Sequence, residues 1–316
     1  MRDMEYNRLG KTGLSVSVMS LGTGGHSRIG QSTGRTKDES VRVIKEAVDL
    51  GINLIDSSEA YGTEDIVGKA ILDIHRDKVV LTTKCSMFKN NVLKSAPDLV
   101  DSLNASLKRL NIDYVDVYML HAVNINEYDY AVRELVPAMI KMKAAGKIGF
   151  LGITETFASD TDHKTLTRAV NDDIWDVMMV GFNILNYSAA NYILKESQQK
   201  DIGIMDMFAV RRALVGGQPL FELVSELIDK GFINKDKIDL DDPLGFVVNE
   251  YGCKDLTEAA YRYCRYELGI DTVLSGTGNI MHLKQNITSI LREPLPKDCV
   301  LRLKDIFKDV DSVSGN

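Results

Sequence analysis

Four side chains able to donate, hold or orient a proton stand at or just beyond the ends of apolar segments. Asp56 ends the run NLID, Tyr61 follows in the polar loop SSEAYG, Lys84 ends VVLTTK and His121 ends VDVYMLH. A buried lysine needs a counter-ion, and Asp56 is the expected one. An ammonium ion beside Tyr61 favours the tyrosinate, so we expect a lowered pKa and a better proton donor at neutral pH. These residue types predict proton transfer, with His121 orienting a carbonyl group.

Eight apolar segments, each followed by a segment of helical periodicity, must position these side chains. Such runs are typical of parallel strands covered on both faces, and eight strand–helix units favour a (β/α)8 barrel. We expect a hairpin around GKTG before the first barrel strand, VSVMSLGT, and extra helices near the C-terminus. The other predicted strands are 53–58, 78–84, 115–121, 147–154, 176–183, 203–209 and 271–277.

A doubly wound open sheet is the competing architecture, but LGTGG at residues 21–25 lacks the GxGxxG spacing of such a fold. The chain has no linker and no shift in composition, which predicts one domain over residues 1–316. Residues 209–255 form the longest irregular part and are expected to be a loop insertion on the functional face, with one or more helices between residues 219 and 268. In a barrel the strand ends meet at one face, where active sites gather.

Composition narrows the classes of partner. The chain has 316 residues, 44% of them hydrophobic, and a net charge of −7 without a basic run, which argues against nucleic acid and anionic membranes. Four scattered cysteines lack CxxC spacing, so no metal site or disulfide framework is expected. The polar start MRDMEYNRLG and the lack of a long apolar segment predict a cytoplasmic protein. Nothing in the sequence indicates the oligomeric state.

The order and spacing of Asp56, Tyr61, Lys84 and His121 resemble those of the aldo-keto reductase family. The phrases NRLGKTGLSVSVMSLGTGG, SLKRLNIDYVDVYMLH and MKAAGKIGFLGIT are similar to that family as well. The resemblance implies a barrel that binds NAD or NADP in extended form, without a Rossmann domain. It implies hydride transfer between the nicotinamide and an aldehyde, ketone, alcohol or sugar hemiacetal. Tyr61 is then the general acid or base, Lys84 and Asp56 tune it, and His121 orients the substrate.

The resemblance also assigns the residues that contact the cofactor. They are Gly22, Thr23, Asp56, Thr154, Glu155, Met207, Phe208, Gly276, Thr277, Gly278, His282, Gln285 and Asn286. The backbone N–H groups of residues 276–278 stand before a helix and suit a pyrophosphate.

Several of these positions depart from the family pattern. Thr154-Glu155 replaces the usual Ser-Asn at the nicotinamide carboxamide, Met179 replaces a glutamine, and Met207 falls near the usual stacking aromatic. The basic residues that grip the 2′-phosphate of NADP are replaced by Gly276 and His282, so we expect NAD or dual use.

Two other functions would use the same residues. A class I aldolase-type barrel would use Lys84 as a Schiff-base nucleophile. A nucleotide-binding regulatory subunit would bind the cofactor with little turnover.

The remaining sequence assignments concern the substrate pocket and the other polar side chains. The pocket is expected to include Tyr128, Tyr130, Phe208, Arg211 and Arg212, and its arginines would favour a polyol or an acidic carbonyl compound. Ser57, Ser58 and Glu59 are assigned connecting roles. Three histidines (His26, His75 and His163) are assigned to the surface, with His26 a candidate for the pocket mouth. Cys85 and Trp175 are assigned to packing.

Overall fold

Short apolar strands alternate with helices in the computed structural model, which describes residues 2–316. In chain order the strands are β1 Tyr6–Arg8, β2 Ser15–Ser17, β3 Met19–Gly22, β4 Leu54–Asp56, β5 Val80–Ser86, β6 Phe88–Lys89, β7 Val92–Leu93, β8 Val115–Val123, β9 Ile148–Glu155, β10 Val177–Gly181, β11 Gly203–Met207 and β12 Thr272–Ser275. Eight of them close into a parallel barrel in the order β3-β4-β5-β8-β9-β10-β11-β12, and β12 pairs with β3. The predicted (β/α)8 barrel is therefore confirmed.

Alternation along each strand sends every second side chain into the barrel interior. The interior is filled by buried apolar side chains: Leu9, Val16, Leu54, Val80, Val117, Met119, Val177, Met179 and Met205. The intervening residues, such as Ile55, Leu81 and Ile153, face the helices and join the larger outer core. Asp56 and Lys84 continue the inward series of β4 and β5, so they lie above this apolar filling at the C-terminal end of the barrel.

Helices cover the outside of the barrel. They are α1 Lys37–Asp49, α2 Glu64–Ile71, α3 Ala96–Leu110, α4 Ile125–Tyr130, α5 Val136–Ala144, α6 Lys164–Ala169, α7 Ile193–Gln199, α8 Gln218–Asp229, α9 Gly245–Asn249, α10 Leu256–Arg265, α11 Ile280–Ile290 and α12 Lys297–Ile306. A capping box starts α1: the Thr36 hydroxyl accepts from the Glu39 backbone N–H, and the Glu39 carboxylate accepts from the Thr36 backbone N–H.

The predicted N-terminal hairpin closes the lower end of the barrel. Strands β1 and β2 pair antiparallel, and Leu9 and Val16 are fully buried in the barrel interior. The hairpin is tied to the lower ends of two barrel strands: Arg8 pairs with Asp201 before β11 at 2.6 Å, and Asn7 donates to the Asp271 carbonyl before β12. The interior therefore opens only at the opposite end, where the strands terminate.

Two features differ from the sequence expectations. The small hairpin β6–β7 was not predicted; its turn uses Asn90 and Asn91 at positive φ, so the Asn-Asn pair in FKNNVL was its signal. Residues 209–255 are less irregular than expected, because α8 and α9 both lie within them, in the region where one or more helices were predicted. Among residues 2–316, no helix has the length and apolarity to cross a membrane, and His, Cys, Asp and Glu nowhere form a cluster suited to a metal ion.

Candidate active site

The side chains of Asp56, Tyr61, Lys84 and His121 meet at the C-terminal mouth of the barrel. Neighbouring strands β4, β5 and β8 carry Asp56, Lys84 and His121, and the loop after β4 carries Tyr61. The Tyr61 hydroxyl lies 3.5 Å from Lys84 Nζ and 3.4 Å from His121 Nε2. A phenol, an ammonium ion and an imidazole thus share one small volume at the open end of the barrel.

Lys84 and Asp56 form a buried ion pair whose hydrogen bonds are nearly complete. Lys84 Nζ donates to both Asp56 carboxylate oxygens at 2.6 Å and to the Ser57 carbonyl at 2.8 Å, and its side chain is fully buried. The Thr82 hydroxyl donates to the same carboxylate. Burial alone would lower the pKa of Lys84, but the Asp56 carboxylate and Tyr61 raise it. The amine is therefore held as a positive charge.

Tyr61 has a raised pKa, so the expectation of a lowered one is wrong for this structure. Burial raises the pKa of the phenol, and the attraction of Lys84 only partly offsets that effect. Lys84 also lies 4.9 Å from the centre of the Tyr61 ring. Tyr61 consequently carries its proton at neutral pH and is a donor rather than a phenolate.

His121 is an uncharged imidazole. Burial, with a contribution from the Lys84 ammonium, lowers the pKa of His121 to about 3. Its ring meets the Tyr61 ring edge-on at 5.4 Å, and Nδ1 lies 3.1 Å from the Ser58 hydroxyl. When Ser58 donates to Nδ1, Nε2 carries the proton and faces the space beside the Tyr61 hydroxyl.

The loop that carries Tyr61 is held by residues to which the sequence assigned only connecting roles. Glu59 Oε1 accepts from the Ser86 backbone N–H at 2.8 Å and from Lys94 Nζ at 2.5 Å, which fastens the loop to the end of β5. Gly24 packs directly against the Tyr61 ring, since a Cβ added to Gly24 would be 2.4 Å from that ring. An acid two residues before Tyr61, close to a lysine in the next loop, gives no recognisable pattern in sequence.

The glycines proposed for the cofactor lie at adjacent strand ends. Gly22 ends β3, and Gly276 follows β12. The two lie close together, since a Cβ added to Gly276 would be 3.4 Å from the Gly22 carbonyl oxygen. Thr277 and Gly278 lead into α11, where Asn279 caps the Met281 backbone N–H. Thr154 points into the barrel and its hydroxyl accepts from the Ala122 backbone N–H at 2.7 Å.

The other residues proposed to contact the cofactor differ in how exposed their side chains are. Met207 ends β11, half-buried, and Phe208 follows with a positive φ of 73°. On α11, His282 and Gln285 are exposed, whereas Asn286 donates to the Ser275 hydroxyl. Thr23 is fully buried and hydrogen-bonded to the Asp56 carbonyl.

Two expectations near β9 are wrong. Glu155 does not face the barrel mouth: it follows Leu151 and Ile153 on the outward face, where it accepts from the Gly181 backbone N–H at 2.8 Å. His163 is not on the surface, because its ring is 2% exposed and its Nδ1 lies 2.9 Å from the Glu155 carboxylate. The two errors are linked. A buried carboxylate that faces the helices needs a partner from the helical layer, and His163 is the partner of Glu155.

The expected substrate pocket also changes. Tyr128 is 1% exposed and bonds to Asp172 and Trp175, so it belongs to the core rather than the pocket. This contact confirms that Trp175 is a packing residue. The Tyr130 hydroxyl donates to the Lys94 carbonyl. Arg211 and Arg212 lie beyond the end of β11, Arg211 half-buried and Arg212 exposed.

Comparison with known proteins agrees with the barrel fold. A model of the Aldo/keto reductase family matches residues 19–308. The chain belongs to this family. Among curated relatives, L-galactose dehydrogenase of Arabidopsis thaliana is 37% identical over 160 residues, covering 49% of each chain. The aldo-keto reductase YhdN of Bacillus subtilis is 38% identical over 164 residues, covering 48% of this chain and 47% of the relative. These matches span about half the length of each relative.

Similarity to another relative and to solved structures extends further along the chain. The NADH-specific methylglyoxal reductase of Escherichia coli is 28% identical over 231 residues, covering 66% of this chain and 68% of the relative. The holo form of an aldo-keto reductase from Bacillus halodurans superimposes with a TM-score of 0.74 at 23% identity, covering 97% of both chains. At that identity the superposition shows a common fold. The chain therefore shares the barrel of its family.

Proposed function

We propose that this aldo-keto reductase transfers hydride between a nicotinamide cofactor and a carbonyl or alcohol substrate, with Tyr61 as the general acid in reduction and the general base in oxidation. The observation that carries the proposal is the position of the Tyr61 hydroxyl, 3.5 Å from a buried, ion-paired Lys84 and 3.4 Å from an uncharged His121. A donor between a cation and a neutral imidazole suits an oxygen that gains negative charge as a carbonyl is reduced.

The residues at the mouth fit a dinucleotide. Gly22 and Gly276 leave the backbone of two adjacent strand ends uncovered, and the N-terminus of the eleven-residue helix α11 follows, a setting suited to a pyrophosphate. Thr154 offers an inward hydroxyl for a carboxamide, and Met207 offers a thioether for packing against a ring. The bound cofactor would supply the hydride.

NAD, or both dinucleotides, is the preferred cofactor. Gly276 has no side chain and His282 has no guanidinium fork, so neither offers the bidentate clamp that grips a 2′-phosphate. The lysine on α11, Lys284, pairs with Glu46 of α1 at 2.7 Å and is thereby directed away from such a role. One relative is named for NADH specificity, which agrees with this preference.

The chain's own residues would act as follows. His121 Nε2 and the Tyr61 hydroxyl hold the substrate oxygen from two sides, which sets the angle of the carbonyl. Tyr61 donates its proton to that oxygen as the carbon is reduced, and the Lys84 ammonium stabilises the phenolate that remains. Asp56 keeps Lys84 charged and fixed in place. The apolar filling below, which includes Met119 and Met179, excludes water from beneath the reacting groups.

The aldolase alternative does not suit this geometry. A Schiff-base lysine must be neutral to attack a carbonyl, but Lys84 has a raised pKa and donates to Asp56 and Ser57. A regulatory subunit that binds nucleotide without turnover would share the geometry, and only kinetics separates it from an enzyme.

Tyr61→Phe tests the proposed role directly. We expect the variant to bind NADH or NADPH as tightly as the natural chain, because no cofactor contact is assigned to the hydroxyl. We expect kcat for aldehyde reduction to fall by about 100-fold or more, since general acid catalysis typically contributes 10²–10⁴-fold. Calorimetric titration of each dinucleotide and stopped-flow hydride transfer measure the two quantities. Methylglyoxal and L-galactose, named for two relatives, are the first substrates to test.

Tyr192→Phe is the matched control, because its hydroxyl bonds to Asn171 on the outer helical layer. It should leave turnover unchanged. Full activity in Tyr61→Phe would overturn the assigned role. Tight nucleotide binding without single-turnover hydride transfer in the natural chain would favour the regulatory subunit.

A further inference from the structure

Five arginines lie over aromatic rings in residues 2–316, and one of them differs from the others. Arg76 over Tyr114, Arg133 over Tyr130, Arg265 over Tyr266 and Arg302 over Phe246 each have a carboxylate partner, namely Asp116, Glu134, Glu5 and Glu250. Arg211 lies 3.7 Å from the centre of the Phe208 ring and has no carboxylate partner in the described part of the chain.

The guanidinium of Arg211 is fixed on one side and free on the other. Its Nε donates to Asn316 Oδ1 at 2.8 Å, and Phe208 covers one face. Its two terminal nitrogens meet no protein acceptor within residues 2–316. The side chain is half-buried, and burial lowers the pKa of Arg211 without a neighbouring carboxylate to restore it. A half-buried guanidinium with an open fork lacks the carboxylate partner that such groups normally have.

The position of this fork connects it with the barrel mouth. Phe208 directly follows β11, and its ring meets Phe157 edge-on at 5.4 Å. Phe157 in turn lies over Gly181 at the end of β10, where an added Cβ would be 2.1 Å from its ring. Asn183 holds the arrangement by donating to the Phe208 carbonyl and to the Ser314 carbonyl. Arg211 thus lies at the C-terminal face of the barrel, beyond the ends of β10 and β11.

We propose that Arg211 is an anion-binding residue at the barrel mouth, whose open fork takes a carboxylate or phosphate oxygen pair of a ligand. The proposal rests on the proposed function for the identity of the ligands that reach this rim. In the Arg302–Phe246 pair, which has nearly the same stacking distance of 3.8 Å, both Glu250 carboxylate oxygens accept from Arg302 Nη1, at 2.9 Å and 3.1 Å. A ligand anion would fill at Arg211 the place that Glu250 fills at Arg302.

Two kinds of ligand carry an anion suited to Arg211: the dinucleotide, through its phosphates, and the substrate, through a carboxylate. Calorimetry with NADH, NADPH and the unreactive anion 4-methylbenzoate measures binding without turnover. Steady-state kinetics with 4-carboxybenzaldehyde and its neutral analogue methyl 4-formylbenzoate measures the substrate arm. Each is performed on the natural chain, Arg211→Gln, Arg211→Lys and the control Arg302→Gln.

We expect Arg211→Gln to weaken at least one anionic probe by about 10-fold or more, as the loss of a bidentate charged contact does. Arg211→Lys should recover only part of that loss, because an ammonium keeps the charge but not the fork. Arg302→Gln should bind every probe like the natural chain. An equal loss for NADH and NADPH points to the pyrophosphate, a loss for NADPH alone to the 2′-phosphate, and a loss for the carboxylated probes alone to the substrate.

The proposal is overturned if Arg211→Gln binds all anionic probes normally, if the neutral ester loses as much as the acid, or if the natural chain binds none of these anions. Its failure is distinguishable from that of the proposed function. Normal turnover with unchanged anion binding in Arg211→Gln would sink the anion site alone. Absence of turnover together with a calorimetric loss in Arg211→Gln would sink the proposed function alone.

Discussion

Lys84 and Asp56 form an ion pair taken almost completely out of water, with side-chain exposures of 0% and 2%. Such a pair adds little net stability, because desolvation opposes the Coulomb attraction, but either member left alone is costly. The pair is therefore best understood as a device that keeps one positive charge beside Tyr61. Its presence was predictable from a lysine and an aspartate ending neighbouring strands; the net direction of the Tyr61 pKa was not, because sequence does not report the depth of burial.

Lys84→Met is expected to destabilise the fold by about 3–5 kcal/mol, because it leaves the Asp56 carboxylate buried without its cation. The second change, Asp56→Asn in the same chain, should recover much of that loss while activity stays low. Urea unfolding of the single and double variants measures the effect. Additive destabilisation by the two changes would contradict this account of the pair.

The pH dependence of reduction follows from two shifted groups. His121, with a pKa near 3, stays neutral above about pH 4, and Tyr61, with a raised pKa, stays protonated through neutral pH. We therefore expect kcat/KM for aldehyde reduction to be flat from about pH 5 to pH 9 and to fall only above pH ~10. Initial rates across this range test it. An inflection between about pH 6 and pH 7 that disappears in His121→Gln would contradict a neutral His121.

The first loop of the barrel, residues 24–34, touches both ends of the proposed site. Gly24 lies against the Tyr61 ring, and Gly30 packs on Gly278 so closely that an added Cβ on Gly278 would be 2.3 Å from the Gly30 Cα. The backbone of Arg28, Ile29 and Gly30 has positive φ, a costly conformation for a β-branched residue such as Ile29. The loop thus links the acid to the glycine-rich segment after β12.

Gly24→Ala should displace the Tyr61 ring, since the new Cβ would be 2.4 Å from it. We expect kcat/KM to fall by about 10-fold or more, because small displacements of reacting groups are costly, with little change in melting temperature. Gly25→Ala is a matched comparison: that position is open to solvent and strains only the backbone. Equal losses of activity in both variants would show that strain in the loop, rather than contact with the ring, is responsible.

At the level of elements, sequence periodicity located every barrel strand, because both faces of these strands are apolar. Periodicity failed for a polar residue at a strand end, because it did not indicate whether the side chain points into the barrel or out towards the helices. Glu155 follows an inward-facing threonine and therefore points outward, which brings His163 into the core. Tyr128 of α4 was misplaced for a different reason, because its partners Asp172 and Trp175 are distant in sequence. Strand phase decides the direction of Glu155, and tertiary contacts decide the burial of Tyr128.

At the scale of the whole molecule, one acid in the outer core has no charged partner. Asp206 of β11 is fully buried, neither of its oxygens makes a hydrogen bond of normal geometry in the described residues, and the nearby Cys264 thiol and Phe182 backbone N–H offset its burial only in part. Burial raises the pKa of Asp206 well above its usual value, so the folded protein keeps it neutral. Because the unfolded chain ionises this group at much lower pH, it opposes folding increasingly as pH rises from about 4 towards the folded-state pKa.

Asp206→Asn should remove this dependence. We expect the difference in unfolding free energy between the variant and the natural chain to shift in favour of the variant from pH 5 to pH 8. Urea unfolding at the two pH values provides the comparison. The exposed Asp73→Asn, with 76% of its side chain accessible, should give a curve parallel to that of the natural chain. Parallel curves for Asp206→Asn as well would show that Asp206 is not held neutral.

The hairpin that plugs the lower end of the barrel has a consequence for the order of events in turnover. With Leu9 and Val16 filling the interior below, two reactants have one common entrance. For the proposed reaction, we expect the more deeply seated reactant to bind first and to leave last. Product-inhibition patterns in steady-state kinetics should accordingly be those of a compulsory-order mechanism, with competitive inhibition only between the two forms of the deeper reactant.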